Sequence, residues 1–139
     1  MERIEGSAFA YCEALEEATF NEGLKYIGPE CFTHCNSLKA ITLPDSVETI
    51  RGHAFDSCSS LSELHIPEGI ESFETSRACF KELFLPSTVK RVYMGVWAPI
   101  IIHYDDTLEE WKKGERRVSK KSNCAEIKLV CTDGETVEI

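Results

Sequence analysis

The sequence predicts a repeat solenoid, a fold in which short coils of the chain stack on one another and share one core. Three observations predict it. Residues 4–73 repeat with a period of 23, each unit contains a short alternating apolar segment, and a proline follows that segment in two units. A fixed period of about 20 to 50 residues is typical of stacked architectures, because no unit buries its apolar side alone.

The period is visible at several positions of each unit. An aromatic residue, a cysteine and a leucine recur in register, as Phe9, Phe32 and Phe55, then Cys12, Cys35 and Cys58, then Leu15, Leu38 and Leu61. Large apolar residues also mark where the units begin, at Ile4, Ile27, Ile50 and Phe73. Stacking places equivalent residues next to each other, so each of these series predicts a ladder along the core.

One short strand is predicted in each unit. In the second unit, Ile41 and Leu43 alternate with Thr42, so the two apolar residues point inward and Thr42 points outward. Pro44 lacks an N–H group and ends the strand. The strands of stacked units should pair into a parallel sheet. The second half of the unit, up to Ala54 and Phe55, crosses the back of the coil, and its phenylalanine fills the space between the two walls.

The register changes after Phe73. The step from Pro67 to Pro86 is shorter by four positions than the step from Pro44 to Pro67, so the fourth unit carries a net deletion. The apolar segment Ile100–Tyr104 is predicted to form the last strand of the stack. Residues 1–104 are therefore interpreted as roughly four coils, the fourth of them shortened.

Residues 105–139 are predicted to cap the open end of the stack. Thr107 and Glu110 have the spacing of a helix start, in which the threonine side chain caps the first turn. A basic segment, 112–121, follows and is interpreted as a solvated loop, with contact to an acidic surface as the alternative. Asp133 and Gly134 predict the turn of a closing hairpin.

The chain has seven cysteines, and the repeat, not a reactive motif, explains the positions of several of them. The ladder cysteines are predicted to be buried free thiols, because side chains in a ladder run parallel and do not face each other. Pairing of Cys124 with Cys131 stays open. The group Cys31, His34 and Cys35 resembles a metal site, but the repeat explains both cysteines and places His34 in a variable exposed position. The sequence thus predicts neither a metal nor a cofactor.

No residue pattern predicts catalysis. Cys79 and Cys124 are the cysteines expected outside the core, and neither has a nucleophile motif around it. Adjacent carboxylates such as Glu16 and Glu17 are common in an acidic chain and do not form the pair across a cleft that a glycosidase uses. We therefore expect the protein not to be an enzyme.

The overall charge and the apolar runs restrict the partners. A formal net charge of −9 argues against nucleic acid, which requires clustered cations. No stretch approaches the roughly 18 apolar residues that span a bilayer, so we expect no membrane span in this chain. The first six residues lack the basic start and apolar block of a signal peptide.

The repeat unit at residues 50–67 resembles the BspA-like leucine-rich repeats, and Tyr104–Trp111 with Cys131–Gly134 resembles the C-terminal tail common in such proteins. The resemblance implies a right-handed leucine-rich-repeat solenoid with a parallel sheet on its concave face and little helix. It also implies an extracellular or cell-surface location on gut or oral bacteria or parasitic protists, and adhesion to host proteins or other cells. No catalytic residue belongs to the family pattern.

Strand parity predicts which residues of the concave sheet bind a partner. The outward positions are Glu17, Thr19, Ala40, Thr42, Glu63, His65, Glu82 and Phe84. This set is acidic with one large aromatic, which favours a host or cell-surface protein of basic character. The alternative is a structural spacer, or the C-terminal cap of a longer surface protein. A further expectation is self-association through the open N-terminal coil.

Overall fold

The computed structural model describes residues 1–123 and 125–139, which form six stacked coils. Each coil has one strand on the back of the solenoid and one on the front. The back strands are β1 (Arg3–Ile4), β3 (Tyr26–Ile27), β5 (Thr49–Ile50), β7 (Ser72–Ala78), β9 (Arg91–Val96) and β11 (Glu115–Lys120). The front strands are β2 (Glu17–Thr19), β4 (Ala40–Thr42), β6 (Glu63–His65), β8 (Glu82–Leu85), β10 (Ile100–Tyr104) and β12 (Ile127–Cys131). A helix, α1 (Leu108–Lys113), and a last strand, β13 (Thr136–Glu138), complete the described chain.

Neighbouring strands on each wall pair in parallel. On the front, β6 pairs with β8, β8 with β10, and β10 with β12, while β2 pairs with β4. On the back, β1, β3 and β5 form one sheet and β7, β9 and β11 form another. The predicted parallel solenoid with little helix is therefore confirmed.

The first three coils cross the back through paired turns. Each contains two non-glycine residues in the left-handed region, four positions apart, with φ between 55° and 62°: Ser7 and Tyr11, Glu30 and His34, His53 and Ser57. Such residues are uncommon outside glycine. Backbone hydrogen bonds to the next coil hold them, as when the N–H of Tyr11 donates to the oxygen of Thr33 over 2.8 Å.

The later coils replace these turns with an extended strand. The path from Thr49 to Glu63 in the third coil is longer by four positions than the equivalent path from Ser72 to Glu82 in the fourth. Extended backbone advances about 3.3 Å per residue, so it crosses the same width with fewer residues than a turn does. This exchange is the physical cause of the deletion seen in the sequence.

A carboxylate joins the two kinds of coil. Asp56 is buried at the last turn of the third coil and accepts hydrogen bonds from the fourth. The Ser76 hydroxyl donates to Oδ2 over 2.6 Å, the Ser76 N–H donates to Oδ1 over 3.1 Å, and the Thr75 hydroxyl also donates to Oδ1. A buried carboxylate is costly unless such donors surround it, so these contacts fix how the strand-type coils dock on the turn-type coils.

The core is built of ladders, as the period predicts. The rings of Phe9, Phe32 and Phe55 stack with centroids 5.3 and 5.6 Å apart and planes within 4° of parallel. Phe32 and Phe55 are fully buried, while Phe9 in the first coil is half-buried. The middle ring therefore has aromatic contacts on both faces.

The cysteine ladder has a chemical role within this core. The thiol of Cys35 donates to the backbone oxygen of Phe9 over 3.1 Å, and the thiol of Cys58 donates to that of Phe32 over 3.2 Å. Both thiols are free and buried, as predicted. Burial raises the pKa of Cys58 to about 12, so its thiol stays protonated and able to donate at neutral pH.

The C-terminal part corrects two expectations. Ile100–Tyr104 is not the last strand, because β12 pairs with it in parallel and adds another rung, and the solenoid has six coils where about four were expected. The basic segment is not a loop: its residues 115–120 form β11 and pair with β9. The alternation in β11 points Arg116 inward, where its guanidinium lies 4.3 Å from the Trp111 ring centroid. Because Arg116 occupies a position where a strand pattern has an apolar residue, the sequence did not predict this strand.

The helix and the hairpin are confirmed. The Thr107 side chain accepts a hydrogen bond from the Glu110 N–H over 3.2 Å, and β12 pairs with β13 in the antiparallel direction. The division into repeats at 1–104 and a cap at 105–139 stays a prediction. The pairing of Cys124 with Cys131, which the sequence leaves open, lies outside the described residues, because Cys124 is not among them.

The position of Tyr11, His34 and Ser57 was expected to be exposed throughout. It becomes covered along the stack, from Tyr11 at 64% exposed to a half-buried His34 and a buried Ser57. His34 stacks on Tyr11 with centroids 4.9 Å apart. Packing between coils is therefore the role that the structure gives this histidine.

The phenylalanine stack leads to a stability prediction. Phe32→Ala removes a ring that is packed on both faces, and we expect it to lower the free energy of unfolding by about 3–5 kcal/mol. Urea unfolding followed by circular dichroism measures this. Phe9→Ala is the matched control, since the same atoms are lost from a half-buried ring, and its loss should be smaller. Equal losses would contradict a core organised by the stack.

The thiol ladder leads to a pH prediction. A thiol whose pKa is raised by folding stabilises the protein fully below its unfolded pKa of 9.0, and that contribution is lost as the pH rises towards about 12. We expect the difference in unfolding free energy between wild type and Cys58→Ala to be constant from pH 6 to about 9 and then to shrink. Urea titrations of both proteins at each pH measure it. A difference that stayed constant up to pH 11 would show that the thiol proton does not matter.

Candidate functional site

The outward residues of the front strands form two parallel rows. One row contains Glu17, Ala40, Glu63, Glu82, Ile101 and Lys128, and the other contains Thr19, Thr42, His65, Phe84, His103 and Val130. We call this surface the front face. All eight residues predicted from strand parity lie on it. The backbone pairing is interrupted between β4 and β6, which lie side by side, so coils 3 to 6 form the continuous part.

Three aromatic rings stack at the centre of the continuous part. The ring of Phe84 lies 4.1 Å from that of His65 and 4.3 Å from that of His103, with planes within 3° of parallel in both pairs. Neighbouring strands are about 4.8 Å apart, a spacing that suits face-to-face stacking when planar side chains occupy equivalent positions. We call these three residues the ring column.

Two carboxylates hold the imidazoles of the ring column. Nε2 of His103 lies 2.6 Å from Oε2 of Glu82 on the neighbouring strand, and Nε2 of His65 lies 3.0 Å from Oε2 of Glu63. The column thus combines a rigid aromatic edge with carboxylate oxygens.

A groove of about 330 Å³ runs beside the ring column. Its lining includes the ring column, His65, Phe84 and His103, and also Tyr104, Asp105 and Thr132. Its size suits one or two side chains of a protein partner. Because its walls are strand residues and strand ends, the groove is already formed without a partner.

Strand parity could have found more of this surface. Ile101 and His103 are the half-buried, outward positions of β10, and the alternation of Ile100–Tyr104 indicates as much. They are not among the predicted binding residues, because that segment was interpreted as the last strand of the stack. Lys128 and Val130 could not be placed, because α1 and β11 fill the long interval that separates Ile101 from Lys128 in the sequence.

The thiols of Cys31, Cys35 and Cys79 are not poised for nucleophilic chemistry. Burial raises the pKa of Cys31 to about 11 and also raises the pKa of Cys35 and of half-buried Cys79. An activated cysteine needs the opposite, a lowered pKa near a cation. Within 1–123 and 125–139, no group of three or more His, Cys, Asp or Glu side chains is arranged to hold a metal ion.

In the described part of the chain, no helix is both long and apolar enough to cross a bilayer. The front face provides a groove, aromatic edges and charge, which are the means of binding a partner.

Comparisons with known proteins agree with the repeat and the fold. The model of the BspA type leucine rich repeat region, in six copies, matches residues 1–97. Two solved structures are similar: a leucine rich cell surface protein from Faecalibacterium prausnitzii A2-165, at 22% identity and a TM-score of 0.72, and the T. pallidum leucine rich repeat protein, at 21% and 0.60. No curated protein matches the chain.

The alignment to the first structure covers 83% of this chain and 32% of that one, and the alignment to the second covers 92% and 66%. This chain thus spans about a third of the length of the first protein. At these identities the structures support the fold alone, whereas the match over residues 1–97 identifies the repeat itself. The chain belongs to the BspA-type leucine-rich repeat family.

Proposed function

We propose that the chain is a non-enzymatic protein-binding module that holds its partner on the front face. The observation that supports this most is the ring column, whose three stacked rings are held by two carboxylates on a continuous parallel sheet. Aromatic residues fixed by their neighbours bind at little cost in side-chain entropy. The family is generally non-enzymatic, which agrees with the unactivated thiols.

The charge of the front face defines the partner. Glu17 and Glu63 are exposed and Glu82 is partly exposed, and no cation lies among the predicted binding residues. A basic protein surface complements this pattern, and the attraction raises the association rate. The partner side chains that enter the groove would lie against the ring column.

The proposed setting is a cell-surface or secreted protein that adheres to host proteins or other cells. Family membership supports it, and the similar protein of F. prausnitzii is named a cell surface protein. The alternative is a spacer, or the terminal cap of a longer surface protein, with no binding of its own. The antiparallel strand β13 favours that role, because it covers the edge of the front sheet at β12.

Charge reversal tests the front face. We expect Glu17→Lys/Glu63→Lys/Glu82→Lys to lose a partner that the wild type retains from extracellular-matrix and serum proteins, with binding weakened at least about tenfold. Biolayer interferometry on the retained protein measures the affinity. The matched control, Glu2→Lys/Glu13→Lys/Glu48→Lys, reverses the same number of exposed carboxylates off the front face and should bind like the wild type.

Each result has a distinct meaning. Equal retention of a partner by both triple variants would place the binding site elsewhere. No retention by the wild type would contradict the module and favour the spacer. Sedimentation velocity of the wild type tests self-association through the first coil, where Phe9 and Leu15 are only half-buried.

A further inference from the structure

The basic segment of the sequence separates into three groups in the structure. Lys112 and Lys113 lie on α1, where the Lys113 ammonium pairs with Glu110. Arg116 points inward under the Trp111 ring. Arg117, Lys120 and Lys121 are exposed on the back of the solenoid. The proposed function of the front face uses none of them.

The back strands bring further cations to Arg117 and Lys121. Arg91 lies on β9, and Arg77 lies in the bulge of β7 between Thr75 and Ala78. Tyr93 is aligned with Arg117 on β11, and Gly95 is aligned with Ser119. We call this surface, on coils 4 to 6, the back face: Arg77, Arg91, Tyr93, Gly95, Trp97, Arg117, Ser119 and Lys121.

Two guanidinium groups on the back face stack on aromatic rings. Arg77 lies 5.0 Å from the Trp97 ring centroid, and Arg117 lies 5.5 Å from that of Tyr93. Trp97 is 41% exposed, and its indole N–H donates to the Ser76 oxygen over 3.1 Å, which fixes the ring. These pairs present a flat apolar edge next to each positive charge.

Most cations of the back face form no direct ion pair with the described residues, although the carboxylates of Glu71, Glu74 and Glu115 lie near them. None of the ion pairs formed within the described chain involves Arg77, Arg91 or Lys121. Arg117 lies 3.7 Å from Glu115, and its side chain is still 75% exposed. Arginine donates two parallel hydrogen bonds to a carboxylate or to a tetrahedral oxyanion, so these groups are free to bind anions.

A depression of about 220 Å³ lies on the back face beside Lys121. Its lining also includes Ser76, Tyr93, Gly95 and Ser119, together with His53 and Glu74. A Cβ atom at Gly95 would lie 2.5 Å from the Ser76 backbone oxygen, so a larger residue does not fit there. The depression therefore combines one ammonium group and an aromatic ring with hydroxyl, imidazole and carboxylate groups, which can form hydrogen bonds with the hydroxyl groups of a sugar.

We propose that the back face binds a single chain of an anionic polysaccharide. The guanidinium groups would bind its sulfate or carboxylate groups, and a sugar ring would occupy the depression against Tyr93. A single chain fits better than a nucleic-acid duplex or an acidic protein, because Glu71, Glu74 and Glu115 border the cations and would repel a wider polyanion. This inference does not depend on the proposed function of the front face.

Tryptophan fluorescence provides a local readout. Trp97 is exposed beside the cations, whereas Trp111 is 6% exposed in the core. We expect dextran sulfate to shift the emission at low salt, with affinity falling as salt rises, and neutral dextran to have no effect. Polygalacturonate, which carries carboxylates in place of sulfates, shows which anion is preferred, and Trp97→Phe should abolish the shift.

Paired charge removal tests the location. Arg77→Gln/Arg117→Gln should weaken dextran sulfate binding at least about tenfold, while the control Lys112→Gln/Lys113→Gln removes two charges from the same sequence segment and should change it less than about twofold. Both pairs are exposed, and circular dichroism checks the fold of each variant. Arg91→Gln/Lys121→Gln is the second test variant and should also weaken binding.

The outcomes separate the possibilities. Absence of wild-type binding, or equal weakening in the control, would overturn the proposal. Equal or tighter binding of a thymidine oligonucleotide or of polyglutamate would replace the polysaccharide with another polyanion. The front-face charge reversal leaves every back-face cation in place and should keep the dextran sulfate shift of Trp97 emission, so failure of one proposal is distinguishable from failure of the other.

Discussion

Parallel pairing between successive coils is the constraint on which the rest of the structure depends. Strands about 4.8 Å apart and in register place each side chain against its equivalent in the next coil. Inside the solenoid this rule stacks Phe9, Phe32 and Phe55, and outside it stacks His65, Phe84 and His103. The core and the candidate binding surface are therefore two results of one geometry.

The pairing also explains why so much of the fold could be predicted from the sequence. Ladder positions repeat with a fixed period, so Phe32, Cys35 and Leu38 identify the core of every early coil. Parity of the strand then places Glu63 and His65 outward. What could not be predicted has equally physical causes. The strand β11 was not predicted, because its inward residue is Arg116 and the pattern of a buried strand has an aliphatic residue there. The Arg116 guanidinium packs against the Trp111 ring.

The stacking of the ring column could not be predicted from the sequence. His65 and Phe84 could be placed on the same face, but their stacking requires that β6 and β8 align across a coil that is four residues shorter than the earlier ones. This alignment is possible because the back of the fourth coil is an extended strand. His103 joins the column because β10 continues the sheet, which requires knowing that the stack does not end there. Local patterns predict faces, whereas the path of the whole coil decides which rings meet.

The charges are distributed by face more than by sequence. A net charge of −9 describes a chain whose front is acidic over coils 1 to 4 and whose back is cationic over coils 4 to 6. The basic segment 112–121 contributes residues to three environments: the helix α1, the core beside Trp111 and the back face. The helix and the alternation of β11 separate them. Net charge alone therefore does not indicate the surface that carries both Arg77 and Arg117.

The junction at Asp56 has a consequence for how such a protein changes length in evolution. Coils before it are interchangeable, since each offers the next the same turns and the same ladder residues, and a duplication or deletion of one full period leaves no mismatch. The coil that carries Asp56 has no such freedom, because its carboxylate fits the Ser76 and Thr75 donors of an extended strand. A whole unit added or removed before Asp56 would therefore keep this junction, whereas a unit inserted between Asp56 and Ser76 would separate the carboxylate from its donors.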